Sequence, residues 1–120
     1  MIKNKTILII DDDDAIRLAL QLVLEKENFT VFTASNGQEG LELLGKMPEP
    51  CLVILDLMMP VLDGWEFLEI RKKDENLSKI PVIIISAFSD QAKKIKADAF
   101  IKKPIDIKQF METIDKFCNK

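Results

Sequence analysis

The chain has 120 residues, with 17 basic against 20 acidic side chains and a formal net charge of -3. This length fits a single domain with its own core, and the slightly acidic balance argues against a general nucleic-acid binder. Every apolar run is far shorter than the ~20 residues of a membrane span, and the early run is too short for a signal-peptide core. We therefore expect one domain over residues 1–120, cytoplasmic, with no direct contact to nucleic acid or membrane.

Two residue types limit the chemistry. The chain contains no histidine, which excludes a Ser-His-Asp triad, an imidazole general base and a histidine metal ligand. Cys51 and Cys118 lack the spacing of a metal site, so we expect two structural, reduced thiols. Chemistry must therefore rest on carboxylates, lysines and hydroxyls.

In the first half of the chain, short apolar runs alternate with helical apolar spacing. Asp14 is a candidate cap of the first helix, and Asn36 is the expected cap of the second. The predicted segments are strands over 6–10 and 30–34 and helices over 15–26 and 38–46.

The second half continues the alternation, and its first two apolar runs are typical of strands buried on both faces. Pro48 and Pro50 separate the two halves, and Asp63-Gly64 predicts a turn into the next helix. The predicted segments are strands over 51–55, 82–86 and 98–102 and helices over 64–73, 91–96 (short) and 106–117. Strict alternation predicts an α/β fold with a doubly wound five-stranded parallel sheet, and five strands fit the order 2-1-3-4-5.

That strand order makes the first and third strands neighbours. Their carboxyl ends carry Asp11, Asp12 and Asp56, and Ser86 and Lys103 follow the fourth and fifth strands. Asp56 taken alone is as well explained as a solvated loop aspartate, but ligands in such sheets bind at this edge. The convergence of polar residues there indicates a functional site.

Three carboxylates in one crevice repel one another unless a cation offsets them. Oxygen ligands without histidine or thiolate suit a hard ion such as Mg²⁺. We expect Asp12 and Asp56 as direct ligands, Asp11 as a ligand through water, and the Met58 backbone carbonyl as a further oxygen. With the Lys103 charge and the Ser86 hydroxyl opposite, the set suits a phosphoryl group that Asp56 attacks in line.

Four motifs together resemble the receiver domain of two-component response regulators, a flavodoxin-like fold. The chain resembles stand-alone, chemotaxis-regulator-like members of bacterial signalling systems, although a fragment of a larger protein is the alternative. The motifs are Ile7-Leu8-Ile9-Ile10-Asp11-Asp12, Leu55-Asp56-Leu57-Met58-Met59-Pro60-Val61-Leu62-Asp63-Gly64, Ser86-Ala87 and Lys103-Pro104.

The resemblance implies a role for each matching residue. Asp56 accepts a phosphoryl group from a sensor histidine kinase or a histidine phosphotransfer protein, and Asp11 and Asp12 are the metal-binding pair. Ser86 engages the phosphoryl oxygen, and Lys103 is the cation.

The resemblance also implies how a signal leaves the domain. Phe100 occupies the position of the switch aromatic, although a plain core aromatic is the alternative. The helix before the last strand, that strand and the last helix form the face that binds an unknown protein target, as a monomer or a phosphorylation-dependent dimer. The segment between Ser86 and Phe100 is shorter than usual by more than one helical turn, so we expect the fourth helix to be shortened or missing.

Two apolar residues bear on how long the phosphoryl group stays. Met58 and Phe88 match positions that border the path of the hydrolytic water. Because both are bulky, we expect slow self-dephosphorylation. Apart from accepting the phosphoryl group and losing it in this way, we expect no enzymatic activity.

Two other interpretations stay open. Ile9-Ile10-Asp11-Asp12-Asp13 resembles the first motif of haloacid-dehalogenase-type phosphohydrolases, but the later acidic position reads Lys102-Lys103-Pro104 and there is no cap domain. The other is an interaction module that never takes phosphate, against which the complete set of site residues argues.

Overall fold

The computed structural model describes residues 5–59, 61–87 and 97–118. None of the helices in these ranges combines the length and apolar character that a membrane span requires. The strands are β1 Thr6–Ile10, β2 Thr30–Ala34, β3 Leu52–Asp56, β4 Val82–Ser86 and β5 Ala99–Lys102; the helices are α1 Asp14–Lys26, α2 Gly37–Leu44, α3 Gly64–Lys73 and α4 Ile107–Cys118, with a 3-10 turn at Leu77–Lys79.

The sheet confirms the predicted architecture. All four strand pairs are parallel, and the order is β2-β1-β3-β4-β5. Every residue of β3 and β4 is buried, as expected for strands covered on both faces. The short helix predicted over 91–96, and with it the shortened fourth helix, lies outside the described residues.

Alternate side chains of the strands enter two separate cores. In β1, Ile7 and Ile9 pack with α1 and α4, whereas Leu8 and Ile10 pack with α2 and α3 on the opposite face. Burial at about 25 cal/mol per Å² of apolar surface makes these two layers the main source of stability. The cores hold the strands in register and leave their carboxyl ends as one edge.

The helix starts follow from single side chains. Asp13, not Asp14, caps α1: its backbone is extended and its carboxylate accepts the Ile16 N–H at 3.1 Å. Asp14 was the wrong choice because it already lies inside the helix, where its carboxylate pairs with Arg17. Asn36 caps α2 as predicted, by accepting the Glu39 N–H at 2.9 Å.

The two cysteines form a disulfide, so the prediction of reduced thiols was wrong. Cys51 directly precedes β3 and Cys118 ends α4, and their Cα atoms are 5.5 Å apart. The topology explains the pairing, because a helix that returns from the carboxyl edge of a parallel sheet ends at the amino edge, where β3 begins. The cysteines are 67 residues apart in sequence.

Candidate functional site

The predicted acidic residues meet at the carboxyl edge of the sheet. Asp11 follows β1 and Asp56 ends the neighbouring β3, where Ile10 pairs with Leu55. One carboxylate oxygen from each of Asp11, Asp12 and Asp56 lies within 4.8 Å of the others. Asp11 and Asp56 are only 2% and 5% exposed, whereas Asp12 is exposed. Asp12 is therefore the member of the cluster that solvent reaches most freely.

Lys103 supplies the opposing charge. Its ammonium Nζ lies 3.6 Å from Asp11 Oδ2 and 3.5 Å from Asp56 Oδ1. The Lys103 N–H also donates to the Ser86 carbonyl at 2.9 Å, which ties the ends of β5 and β4 together. Ser86 is buried, one residue beyond Ile85, which pairs with Asp56. The structure thus brings the predicted serine, lysine and aspartates to one edge.

Burial and mutual repulsion disfavour the charged forms of both inner carboxyls. Burial, and next the negative charge of Asp11, raise the pKa of Asp56 to about 6, against the Lys103 charge and a hydrogen bond from the Met58 N–H. Burial also raises the pKa of Asp11, although the Asp13 N–H and Lys103 oppose the shift. One ammonium therefore leaves the pocket with excess negative charge, and a further cation would relieve it.

The donor set fits a hard divalent cation. All three grouped side chains are carboxylates, and they converge without a thiolate or imidazole. Mg²⁺ prefers this chemistry, and it needs only one or two carboxylates because it keeps several waters. Met58, two residues beyond Asp56, has an exposed side chain; its carbonyl as a metal ligand stays a prediction.

Arg17 is a site residue that the sequence did not reveal to us. Its Nη1 donates to the Asp11 carbonyl at 2.6 Å, and its guanidinium also contacts the Asp14 carboxylate. These contacts fix the β1–α1 turn that carries the acidic pair. The signal was present, since Asp14 and Arg17 are three residues apart and face each other on a helix.

Two glycines hold the loop that follows Asp56. The Gly64 N–H donates to the Leu57 carbonyl at 3.0 Å, and a Cβ on Gly64 would lie 2.7 Å from the Leu57 Cα. The Gly37 N–H donates to the Leu62 carbonyl at 2.9 Å, and a Cβ on Gly37 would lie 2.6 Å from that oxygen. The loop is therefore fastened at both ends, to α3 and to α2.

The aromatic predicted as a switch lies on the surface. Phe100 is in β5, pairs with Ile84, and is 42% exposed. The alternative that Phe100 is a core aromatic is thus wrong, because its side chain is too exposed. Phe88 lies outside the described residues.

Comparisons with known proteins agree with this geometry. The family model for the response regulator receiver domain matches residues 7–115. Sporulation initiation phosphotransferase F of Bacillus subtilis is 37% identical over 120 residues, covering 95% of this chain and 94% of that protein. Transcriptional regulatory protein AfsQ1 of Streptomyces coelicolor is 38% identical over 106 residues, covering 83% of this chain. The chain spans only 45% of that longer regulator.

A solved structure shows the same fold. The receiver domain of a sensor histidine kinase from Pseudomonas aeruginosa has a TM-score of 0.88 at 16% identity, and the match covers 98% of this chain and 99% of that one. That structure carries a magnesium ion coordinated in its active site cleft. The matched family model and the Bacillus relative, which aligns over nearly its whole length, establish the relationship. This chain therefore belongs to the response regulator receiver domains of two-component systems.

Proposed function

We propose that Asp56 is the phosphoacceptor of this receiver domain and that Asp11, Asp12, Lys103 and Ser86 complete the site. The observation that carries the proposal is the position of the Lys103 ammonium, which lies 3.6 Å from the Asp11 carboxylate after β1 and 3.5 Å from the Asp56 carboxylate at the end of β3. A buried acid cluster beside a lysine suits a ligand rich in oxygen and charge. The name of the Bacillus relative, a phosphotransferase, supports this chemistry.

The transfer step follows from the positions of these groups. A carboxylate oxygen of Asp56 attacks the phosphorus of a phosphohistidine on the partner, a sensor histidine kinase or a histidine phosphotransfer protein. The new O–P bond forms as the N–P bond breaks, and the imidazole leaves with the electron pair. Lys103 offsets the charge on the phosphoryl oxygens. Asp56 must be ionised to attack, so its raised pKa favours transfer at neutral pH over acidic pH.

The acidic cluster would hold Mg²⁺ during this step. Asp12 and Asp56 would bind it directly, Asp11 through water, and Met58 through its carbonyl. The bound ion supplies positive charge that offsets both the carboxylates and the phosphoryl oxygens. Arg17 would keep the Asp11 backbone in place through its hydrogen bond to the Asp11 carbonyl.

Phosphorylation would then change the exposed face of the domain. The new group adds a charge of about -1.5 to -2 and three acceptor oxygens. Ser86 is drawn toward it, and Phe100 moves from the surface into the space that Ser86 leaves. Reversing a 1:99 equilibrium in this way needs ~5.5 kcal/mol, much of which charge-assisted hydrogen bonds supply. The face formed by β5, α4 and the segment before β5 would then bind the target protein. The domain would do so as a monomer or as a phosphorylation-dependent dimer.

The domain would act as a phosphoacceptor and not turn over a substrate. Met58 is bulky and apolar, lies two residues beyond Asp56 and is exposed, so it would hinder the approach of water and make self-dephosphorylation slow. The family match favours this function over a haloacid-dehalogenase-type phosphohydrolase and over a module that never takes phosphate. Turnover of a small phosphomonoester would favour the phosphohydrolase instead.

Incubation with acetyl phosphate and Mg²⁺ tests the proposal, with mass spectrometry to detect the added phosphoryl group. We expect labelling of the natural protein, no labelling of Asp56→Asn, and at least a tenfold loss for Asp12→Asn or in EDTA. Asp13→Asn is the matched control, because asparagine caps a helix as well as aspartate does. Labelling of Asp56→Asn at the natural rate would contradict the proposal.

A further inference from the structure

The disulfide joins two elements at the edge of the sheet opposite the acidic cluster. Cys51 is half-buried and its N–H donates to the Thr6 carbonyl at 2.8 Å, so it is fixed to β1. Cys118 is the last residue of α4 and only 4% exposed. The bond therefore fastens the carboxyl end of a surface helix to the start of the strand that carries Asp56.

The rest of α4 is held by packing and by its link to β5. Phe110 and Ile114 are completely buried in the core on that face. Residues 103–106 connect the amino end of the helix to β5. In the last turn Cys118 is buried and Phe117 packs partly buried against the same core, and the disulfide is the covalent attachment of this turn to the sheet.

The fold does not rest on this bond alone, because an apolar core lies on each face of the sheet. Cys118 lies within one core and Cys51 packs against it. A neutral thiol behaves there as a small apolar side chain. Both the bonded and the reduced pair are therefore compatible with the same packing, and the partial exposure of Cys51 admits an attacking thiolate.

We propose that Cys51 and Cys118 are a reversible redox modification site that controls the attachment of α4 to the sheet. A dithiol reductant attacks Cys51 Sγ, which forms a mixed disulfide and releases the Cys118 thiolate to take up a proton. The second thiol of the reductant attacks the mixed disulfide and releases Cys51. Two electrons pass from the dithiol to the protein, and the reductant leaves as its own disulfide. A disulfide oxidant reverses the sequence.

Opening the bond acts mainly on the last turn of α4. That turn lies at the opposite end of the helix from Lys103, so the acidic cluster keeps its geometry. The inference goes beyond the phosphoacceptor site and does not depend on it. It predicts that the redox state of the surroundings changes one surface that phosphorylation would also use.

The test compares the unphosphorylated protein before and after dithiothreitol, without any phosphodonor. Before reduction we expect no alkylation by iodoacetamide in mass spectrometry, and after reduction two alkylated cysteines. In hydrogen–deuterium exchange over the first minutes, peptides from residues 111–118 should exchange at least tenfold faster after reduction. Peptides from β3 and β4 should not change on that timescale. Melting temperature should fall by about 10 °C, because the bond closes a long loop.

The double variant Cys51→Ala/Cys118→Ala is the matched control. It should fold, match the reduced protein in exchange, and respond to dithiothreitol in neither measurement. Oxidised glutathione should restore the closed form of the natural protein as a monomer. Faster exchange throughout the sheet, unchanged exchange in α4, or cysteines that alkylate fully without a reductant would each overturn the proposal.

Discussion

The two ends of β3 lie in opposite environments, one charged and one apolar. At its carboxyl end, Asp56 lies among carboxylates and one lysine, and burial raises its pKa to about 6. At its amino end, Leu52 is completely buried in an apolar core and Cys51 is bonded to Cys118. The strand itself is one short buried segment, so the difference arises from what surrounds each end.

The comparison shows where stability and function are located. Charges gathered at the carboxyl edge oppose folding until a cation or a ligand offsets them. The amino edge supplies apolar burial and a covalent bond. Removing a buried charge from the carboxyl edge should therefore raise stability, whereas removing apolar volume from the core should lower it.

The largest effect is expected in the apolar core between α4 and the sheet. Phe110→Ala should lower the free energy of unfolding by about 3–5 kcal/mol, because it leaves a cavity in a completely buried site. Urea unfolding followed by circular dichroism measures this. Phe100→Ala makes the same chemical change at a position that is 42% exposed, and should lower stability by less than about 1 kcal/mol. Equal losses would contradict the assigned burial.

The next effect concerns the loop at the carboxyl edge. Gly64→Ala should lower the free energy of unfolding by about 2 kcal/mol or more, since its Cβ would meet backbone atoms of Leu57 and Asp56 at 2.7 and 2.8 Å. It should also reduce labelling by acetyl phosphate. Gly45→Ala is the matched control, because the nearest atom to its Cβ is the Glu42 carbonyl at 3.5 Å. That variant should be neutral or slightly more stable.

Removing a charge from the carboxyl edge should stabilise the metal-free protein. In EDTA at pH 7, Asp56→Asn should raise the free energy of unfolding by about 1–2 kcal/mol, since it removes a buried charge that repels Asp11. Addition of Mg²⁺ should stabilise the natural protein and not the variant. A variant that is less stable than the natural protein in EDTA would contradict this account.

The difference in the free energy of unfolding between Asp56→Asn and the natural protein should also depend on pH. The pKa of Asp56 is about 6 in the folded protein against 3.8 for a free aspartate. Between about pH 4 and pH 6 the folded state therefore binds more protons at this residue than the unfolded state. Its contribution to stability falls as pH rises through that window. The advantage of Asp56→Asn should consequently shrink as the pH is lowered from 7 to 5.

The smallest effect tests a positioning residue. Arg17→Lys keeps the charge but loses part of the guanidinium hydrogen bonding to Asp11 and Asp14, so the Kd for Mg²⁺ should rise about threefold. Isothermal titration calorimetry measures it. Arg71→Lys is the matched control, since Arg71 also donates to a carbonyl, that of Ile80, at 2.7 Å, before β4 begins. Its Kd for Mg²⁺ should not change.

Local signals in the sequence were sufficient for much of the fold. β4 and α3 have the predicted bounds, because a continuous apolar run ends at Ser86 and because Asp63 and Glu66 form a capping box. The alternation of elements then fixed the strand order, and the order placed Asp11, Asp56 and Lys103 at one edge. Each of these inferences uses residues that are close in sequence or a general rule of topology.

The wrong or missing predictions depended on distant packing in one case and on local backbone conformation in the other two. Cys51 and Cys118 carry no local sign of pairing, and only the direction of α4 across the sheet brings them together. The spacing of Asp14 and Arg17 indicates their ion pair, but the second contact of Arg17, with the Asp11 carbonyl, depends on the conformation of the β1–α1 turn. Asp13 and Asp14 are chemically identical, so backbone conformation alone decides which of them caps α1.

The two glycines that contact the ends of the loop after Asp56 also restrict how this domain can be redesigned. Gly64 contacts Leu57 and Gly37 contacts Leu62 through the backbone, and neither contact leaves room for a Cβ. A residue inserted into this loop or deleted from it would disturb its contacts with both α2 and α3. New binding specificities are thus better introduced by exchanging exposed side chains such as Val61 than by changing the number of residues.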